Sequence, residues 1–340
     1  MEETILITGG AGYVGSLLTC ELLTLGYGVR VFDWMLFHPH VFDHLHDDAH
    51  LEVIQGDLRN ASAVEAALQG IKTVIHLGCL SNDPCCNLNE ALTRSINFDA
   101  GVQLIHLAKT TGVRRFFYAS SASVYGIKHE SHVTEDLPLE PMTPYALYKA
   151  ELEKVLLSEL SPSFGGVIVR PATLCGCSPR QRLDITVNTM TYEAVVLNKI
   201  TLYNAEQERP NLTVQDMVAL YVLLLQTPLA RIQSEVFNVT GENYPVAQIA
   251  QIVKETVAVP VTIEHIQTPD RRSYRLCGTK LKETLGFTPH YSIRHAIRTL
   301  AQALQTGQIP DPGSAQYRNT QFLRENVHLW SHLREQRSSR

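Results

Sequence analysis

Three glycines, Gly9, Gly12 and Gly15, follow directly on the apolar run Thr4–Thr8 and open an amphipathic stretch. This G-x-x-G-x-x-G spacing between a strand and a helix constrains the chain more than any other feature. Glycine at these points permits a tight turn, close approach of backbone to a pyrophosphate, and tight strand–helix packing. The helix N-terminus that follows offers free N–H groups and the positive end of its dipole to phosphates. The next apolar run ends at Asp33, at the place where a carboxylate accepts hydrogen bonds from the adenosine ribose hydroxyls. The same carboxylate repels a 2′-phosphate, so NAD is expected over NADP. Asp57, closing the third run in Gly56-Asp57-Leu58-Arg59, is placed to meet the adenine amino group.

Short β-branched runs alternate with amphipathic stretches through the first half. Thr4–Thr8, Val29–Asp33, Leu51–Gln55, Thr73–Leu77, Arg115–Ser120 and Gly166–Arg170 read as strands. Gly12–Leu25, Ala61–Leu68, Glu90–Thr111 and Pro144–Leu160 read as helices between them. That alternation predicts an α/β fold with a parallel sheet covered on both faces. Beyond Arg170 the pattern loosens, with helices expected near 184–197, 216–226, 245–256, 279–285 and 292–305, and strands near 200–203 and at Val236–Val239. No repeat or low-complexity linker separates the halves, so two interleaved lobes are expected. A dinucleotide domain over 1–172 with a return segment near 212–242 is set against a smaller substrate lobe over 173–211 and 243–320, and 321–340 reads as a tail.

With 340 residues, 44% hydrophobic and 19% charged, the chain has ample core for such an arrangement. A net charge of -5 gives no support to a nucleic-acid or membrane surface. No apolar stretch reaches spanning length, and the chain enters a strand at once, leaving no room for a signal peptide. Seven scattered cysteines, an odd number, fit a reduced cytoplasmic chain better than a disulfide framework.

Tyr145 and Lys149 stand at i and i+4 after Pro144, one above the other on a helix. A tyrosine is a poor base at neutral pH, with an unperturbed pKa of about 10. A neighbouring ammonium, together with the positive charge of an oxidised nicotinamide, favours phenolate. Tyr145 can then take a hydroxyl proton while hydride leaves the same carbon. Ser121, in Ser120-Ser121-Ala122-Ser123-Val124-Tyr125, is placed to hold the reacting oxygen in line.

The openings T-G-G-A-G-Y-V-G and V-F-D, then G-D-L, H-L-G, S-S-A-S-V-Y-G and Y-A-L-Y-K, together resemble the extended short-chain dehydrogenase/reductase family. Within it the likeness is to NAD-dependent nucleotide-sugar epimerases and dehydratases, and it runs in motif order over residues 1–290. The resemblance implies a Rossmann-type doubly wound sheet with a smaller C-terminal substrate lobe. It implies Ser121, Tyr145 and Lys149 as catalytic triad, with Lys149 also gripping the nicotinamide ribose. It implies NAD contacts at Gly9, Gly12, Tyr13, Val14, Gly15, Asp33, Asp57, Leu58, Leu77, Gly78, Cys79 and Asn97. Substrate contacts are implied at Ser121, Ser123, Thr173, Asn188, Arg209 and Asp270. Thr173 replaces an Asn of the family pattern, and of R-D-Y-I-H-V-x-D only Arg209, Val214 and Asp216 remain.

Sugar dehydratases of the family resemble T-D-E-V-Y after the catalytic hydroxyl, and Ser121-Ala122-Ser123 carries no carboxylate there. Ser123 also lacks the acidity of the Cys or Glu used by related 3,5-epimerases and decarboxylases. The resemblance therefore implies 4-epimerisation through a transient 4-keto sugar, with NAD retained through turnover. A reductase of a keto sugar or related carbonyl uses the same triad. A dinucleotide-binding regulator without catalysis is expected to lack Tyr145 or Lys149, and both are present. The resemblance also implies a homodimer through the helices at Glu90–Thr111 and Pro144–Leu160. Their stripes Ile96, Leu104, Ile105, Ala108 and Leu152, Val155, Leu156 fit burial on the sheet equally well.

Other clusters are less specific. His38, His40, His44, His46 and His50 crowd one stretch but lack a completing ligand set, so no metal is expected. Cys175 and Cys177 read as small buried thiols for want of a second pair. Arg180 and Arg182, in the loop Ser178–Asp184, suit either the substrate's phosphates or a solvated surface. Asp270 with Arg271, Arg272 and Arg275 suits either a substrate contact or a surface ion-pair network.

Overall fold

A computed structural model describes residues 3–266 and 273–328. Its strands are β1 (Thr4–Thr8), β2 (Gly28–Asp33), β3 (Leu51–Gln55), β4 (Thr73–His76), β5 (Arg115–Ala119), β6 (Gly165–Pro171), β7 (Thr173–Cys175), β8 (Lys199–Tyr203), β9 (Glu208–Thr213), β10 (Val236–Val239), β11 (Glu242–Pro245) and β12 (Thr262–Ile266). Seven of them form one sheet in the order β10-β6-β5-β4-β1-β2-β3. Every pairing in it is parallel. Central strands such as β1 and β4 are continuous apolar runs because both their faces are covered. β3, at the edge, is largely exposed. Strand order reverses between β1 and β4, which opens a crevice at the carboxyl ends of the strands. The architecture is thus α/β and Rossmann-like, as the alternation predicts.

Helices α1 (Tyr13–Thr24), α2 (Ala61–Leu68), α3 (Asp83–Cys86), α4 (Glu90–Arg94), α5 (Ala100–Thr110) and α6 (Pro144–Glu159) connect these strands. After β7 come α7 (Thr186–Leu197), α8 (Val214–Gln226), α9 (Val246–Val257), α10 (Thr279–Leu285), α11 (Ile293–Gln305) and α12 (Asn319–Glu325). On one face of the sheet, Leu18 and Leu22 of α1 join Met217, Leu220 and Leu224 of α8. On the other, α2, α5 and α6 contribute Val64, Leu68, Leu104, Ile105, Leu152 and Leu156. The apolar stripes of α5 and α6 are therefore spent within the chain; Leu147 and Leu157 are what α6 leaves exposed.

The segment Glu90–Thr111 is not one helix. A π-helical turn, Ser95–Asp99, separates α4 from α5. The extra residue turns Asn97 inward, where its amide accepts from the Leu80 N–H at 2.8 Å and donates to the Leu80 carbonyl at 2.9 Å. β7, β9 and β11 form a small second sheet, β8 and β12 a parallel pair, and α7, α9 and α11 share a separate core. Residues 307–328 are packed on the rest of the chain: Tyr317, Asn319 and Leu323 are buried, and residues 321–325 of the expected tail belong to α12, packed on α3.

His76, at the end of β4, is fully enclosed, shares a 2.7 Å hydrogen bond with Thr8 Oγ1 and stacks on Tyr118. Burial, with repulsion from Lys149, lowers its pKa to about 3. The ring is neutral in the fold, whereas the unfolded chain takes up a proton below about pH 6.5. The stability this neutral ring allows is present above that value and is lost as pH falls from there towards 3. By pH 5 the loss amounts to about 2 kcal/mol. Urea unfolding at pH 7 and pH 5 should show a smaller difference for His76→Asn than for the parent by about that amount.

Candidate active site

The crevice at the switch point is a cavity of about 590 Å³. Its floor is the glycine turn. Gly9 adopts φ 73°, and a Cβ there would lie 2.6 Å from Gly78 Cα. A Cβ on Gly15 would lie 2.6 Å from Gly10 Cα and press on the Gly9 carbonyl. Helix α1 begins at Gly12 with no side-chain cap, so its first-turn N–H groups remain for a ligand. Asp33 closes β2 beside this turn; its carboxylate accepts from the Ala11 N–H at 3.0 Å and the Met35 N–H at 2.7 Å. Burial raises its pKa, and those two bonds lower it in turn. Met35 and Asn82 both hold left-handed backbone on the cavity wall, with φ of 58° and 75°. Such conformations in non-glycine residues cluster at ligand sites.

Farther along the crevice, Thr143 caps α6 and Pro144 occupies its first turn, which brings Tyr145 to the cavity. One turn on, Lys149 is 3% exposed and donates to the Ala119 carbonyl at 2.6 Å. Its ammonium lies 5.1 Å from the Tyr118 ring centre and 5.9 Å from that of Tyr145. Ser121 accepts from the Ser123 N–H at 3.2 Å and the Ser123 hydroxyl at 2.9 Å, and hydrogen-bonds Tyr145. Burial pushes the Tyr145 phenol well above the usual tyrosine range; Cys79, Cys86 and Asp83 add to this, and Ser121 opposes it. Burial therefore holds the phenol in its protonated form.

Gly9, Gly12, Tyr13, Val14, Gly15, Asp33, Asp57, Leu58, Leu77, Gly78, Cys79, Ser121, Ser123, Tyr145, Lys149, Thr173 and Arg209 all line this one cavity. Two residues read as contacts from the sequence do not. Asn97 is 2% exposed and spends its amide on Leu80. Asn188 is fully buried, accepting from the Gly176 N–H at 2.9 Å and donating to the Arg182 carbonyl at 2.8 Å. Its amide thus holds the loop 176–184. Asp270, Arg271 and Arg272 lie outside the described residues. Arg180 and Arg182 are buried on the cavity wall, which rules out the solvated alternative.

Cys175 is buried and its thiol is pushed up by burial; all seven cysteines are free thiols. His40, His44, His46 and His50 are exposed outside the cavity, while His38 joins its rim. Sequence reasoning missed Ser81, Asn82, Asp83 and Asn319 on the wall. Of these, Asp83 accepts the Thr143 hydroxyl and so ties α3 to the start of α6. Among the described residues no helix is long and apolar enough to cross a membrane.

The glycine turn, the uncapped helix and Asp33 fit a dinucleotide. In agreement, the sequence model of the NAD-dependent epimerase/dehydratase family matches residues 5–240. The UDP-glucose 4-epimerase of Lactobacillus helveticus is 25% identical over 317 residues, 87% of this chain and 95% of that protein. The sterol-4-alpha-carboxylate 3-dehydrogenase, decarboxylating, of Mus musculus is 31% identical over 188 residues, 54% of this chain and 49% of that protein. The solved structure of MoeE5 in complex with UDP-glucuronic acid and NAD superposes with a TM-score of 0.80 at 25% identity, covering 89% of this chain and 99% of that one.

Gly15→Ala should drive a methyl into the Gly9–Gly10 backbone. The dinucleotide recovered on denaturing the purified variant should fall to a small fraction of that from the parent, as measured by absorbance and mass.

Proposed function

The chain belongs to the NAD-dependent epimerase/dehydratase family, and on that premise we propose that it epimerises a nucleotide-activated sugar at C4 through a transient 4-keto intermediate. The observation that carries this reading is the short turn Ala122–Tyr125 after Ser121. Its Ser123 hydroxyl points back to Ser121, and the turn offers no carboxylate with which to expel water. The alignment to a 4-epimerase over nearly that enzyme's whole length, and a solved relative holding a UDP-sugar acid, support the substrate class.

Bound NAD supplies a reversible hydride acceptor at C4. Tyr145 moves the proton of the C4 hydroxyl, Ser121 holds that oxygen in line, and Lys149 holds the nicotinamide ribose. Because burial keeps the Tyr145 phenol neutral, its base form depends on cations beside it, Lys149 and the oxidised nicotinamide ring. Thr173 and Arg209 lie on the wall where the sugar and its diphosphate would extend. The intermediate has to turn within the cavity and accept hydride on its other face, with no net redox.

The second reading is an NAD(P)H-dependent reductase or dehydrogenase of a keto sugar or related carbonyl. The likeness to a sterol dehydrogenase over half the chain favours it. The two part on redox balance. The purified protein, with nothing added, should release near-stoichiometric NAD on denaturation and interconvert a UDP-hexose with its C4 epimer at constant mass. Loss of one water from the sugar would make it a dehydratase, and consumption of NADH would make it a reductase. Tyr145→Phe should keep its NAD and lose about 10²–10⁴-fold in turnover by NMR assay; unchanged turnover would remove Tyr145 from the reaction.

A further inference from the structure

The loop 176–184 carries two guanidinium groups that the C4 chemistry does not use. Arg180 and Arg182 are 2% and 7% exposed, and both line the cavity. Arg182 Nε donates to Asp184 at 2.8 Å and its Nη1 to Ser81 Oγ at 3.2 Å, while its Nη2 is buried with no partner among the described residues. Arg180 donates through Nη2 to Asn319 Oδ1, and its guanidinium lies 4.5 Å over the Phe37 ring. Among the described residues no carboxylate accepts a hydrogen bond from Arg180, and burial with repulsion from Arg182 lowers its pKa to about 9. Asp33 is near enough to favour its charge, but the Asp33 oxygens are engaged by Ala11 and Met35. Buried guanidinium donors without acceptors are costly unless an anion completes them.

Their placement says which anion. The loop lies across the N-terminus of α1: Ser178 Oγ donates to the Tyr13 carbonyl at 2.5 Å, Arg180 N to Ser16 Oγ at 3.1 Å, and the Tyr13 hydroxyl to the Gly176 carbonyl at 2.7 Å. The two forks thus stand beside the helix terminus that receives phosphate, between Asp33 at one end and Ser81 at the other. We infer that Arg180 and Arg182 form the cationic half of a diphosphate site that takes the pyrophosphate of the dinucleotide opposite the glycine turn, with Asn319 fixing the pair. Planar forks suit bidentate contact with phosphate oxygens. Asn319, 3% exposed, donates from its N–H to Asp184 at 2.9 Å and from Nδ2 to Ser81 at 3.0 Å while accepting from Arg180. The C-terminal segment is thereby part of the cofactor site. The inference requires the dinucleotide but not the C4 reaction.

A nucleotide sugar carries a diphosphate of the same chemistry, so the test separates the two sources. The full chain, stripped of dinucleotide, is titrated calorimetrically with NAD, ADP, adenosine and UDP. Arg182→Gln should raise the Kd for NAD and for ADP by about tenfold or more while leaving adenosine and UDP unchanged. Asn319→Ala should weaken NAD in the same sense by a smaller factor. If Arg182→Gln does not fold, Arg182→Lys, which keeps the charge but loses the fork, carries the test with a severalfold rise. An unchanged Kd for NAD overturns the inference. So does a rise for UDP alone, which would assign the pair to the substrate's diphosphate.

Discussion

The site depends on one close backbone approach, where the end of β1 is wedged between its two neighbours. Gly9 N–H bonds the Phe32 carbonyl at 2.9 Å, Leu77 N–H bonds the Thr8 carbonyl at 2.9 Å, and a side chain at Gly9 would run into Gly78. Only residues without Cβ atoms can bring the ends of β1 and β4 this near and still turn at once into a helix. That proximity sets the N-terminus of α1 over the same crevice into which β4 delivers Cys79 and β5 delivers Ser121. The anion end and the hydride end of the cavity are therefore placed by one parallel sheet, and their separation is fixed by strand order.

The sheet supplies only one wall. The other is assembled from chain that arrives after β6: the loop 176–184, tied across α1 through Tyr13 and Ser16, and the start of α12, tied to that loop through Asn319. Asn188 is central to this wall although it touches no cavity. With its amide satisfied by Gly176 and Arg182 it holds the loop in one shape, and a buried polar group fully satisfied in this way specifies a conformation.

Where period and residue type dictate structure, the sequence was legible. The limits of β1, β3, α2, β10 and α10 follow from their apolar runs and flanking turn residues. The alignment of Tyr145 and Lys149 followed from spacing, since the two need only a helix to bring them together and Pro144 with Thr143 starts one there. β7, β9 and β11 were missed because a strand such as Glu242–Pro245 has no apolar face to announce it and forms only by pairing with β9. The π-helical turn was invisible because Glu90–Thr111 keeps a helical apolar period on both sides of it. Asn188 and Asn97 have the right residue type in the right motif, yet both are turned into the interior. Asn319 gives no local signal at all: it is one of several amides in a polar stretch, 135 residues from the Asp184 it bonds.

The charges around Tyr145 form a sequence of their own. The Lys149 ammonium is held at the Ala119 carbonyl, 5.1 and 5.9 Å from the centres of the Tyr118 and Tyr145 rings. Beneath it His76 stays neutral, its pKa lowered to about 3, so no second cation competes with Lys149 for that place. The neighbours Cys79, Cys86 and Asp83 all disfavour the phenolate, as burial does. A tyrosine so surrounded rests as a proton donor, the form suited to returning hydride to a keto group, and becomes a base only when positive charge is added beside it. In the proposed reaction that coupling would link the direction of proton transfer to the redox state of the nicotinamide. It is what a reaction that withdraws hydride and then returns it to the same carbon requires.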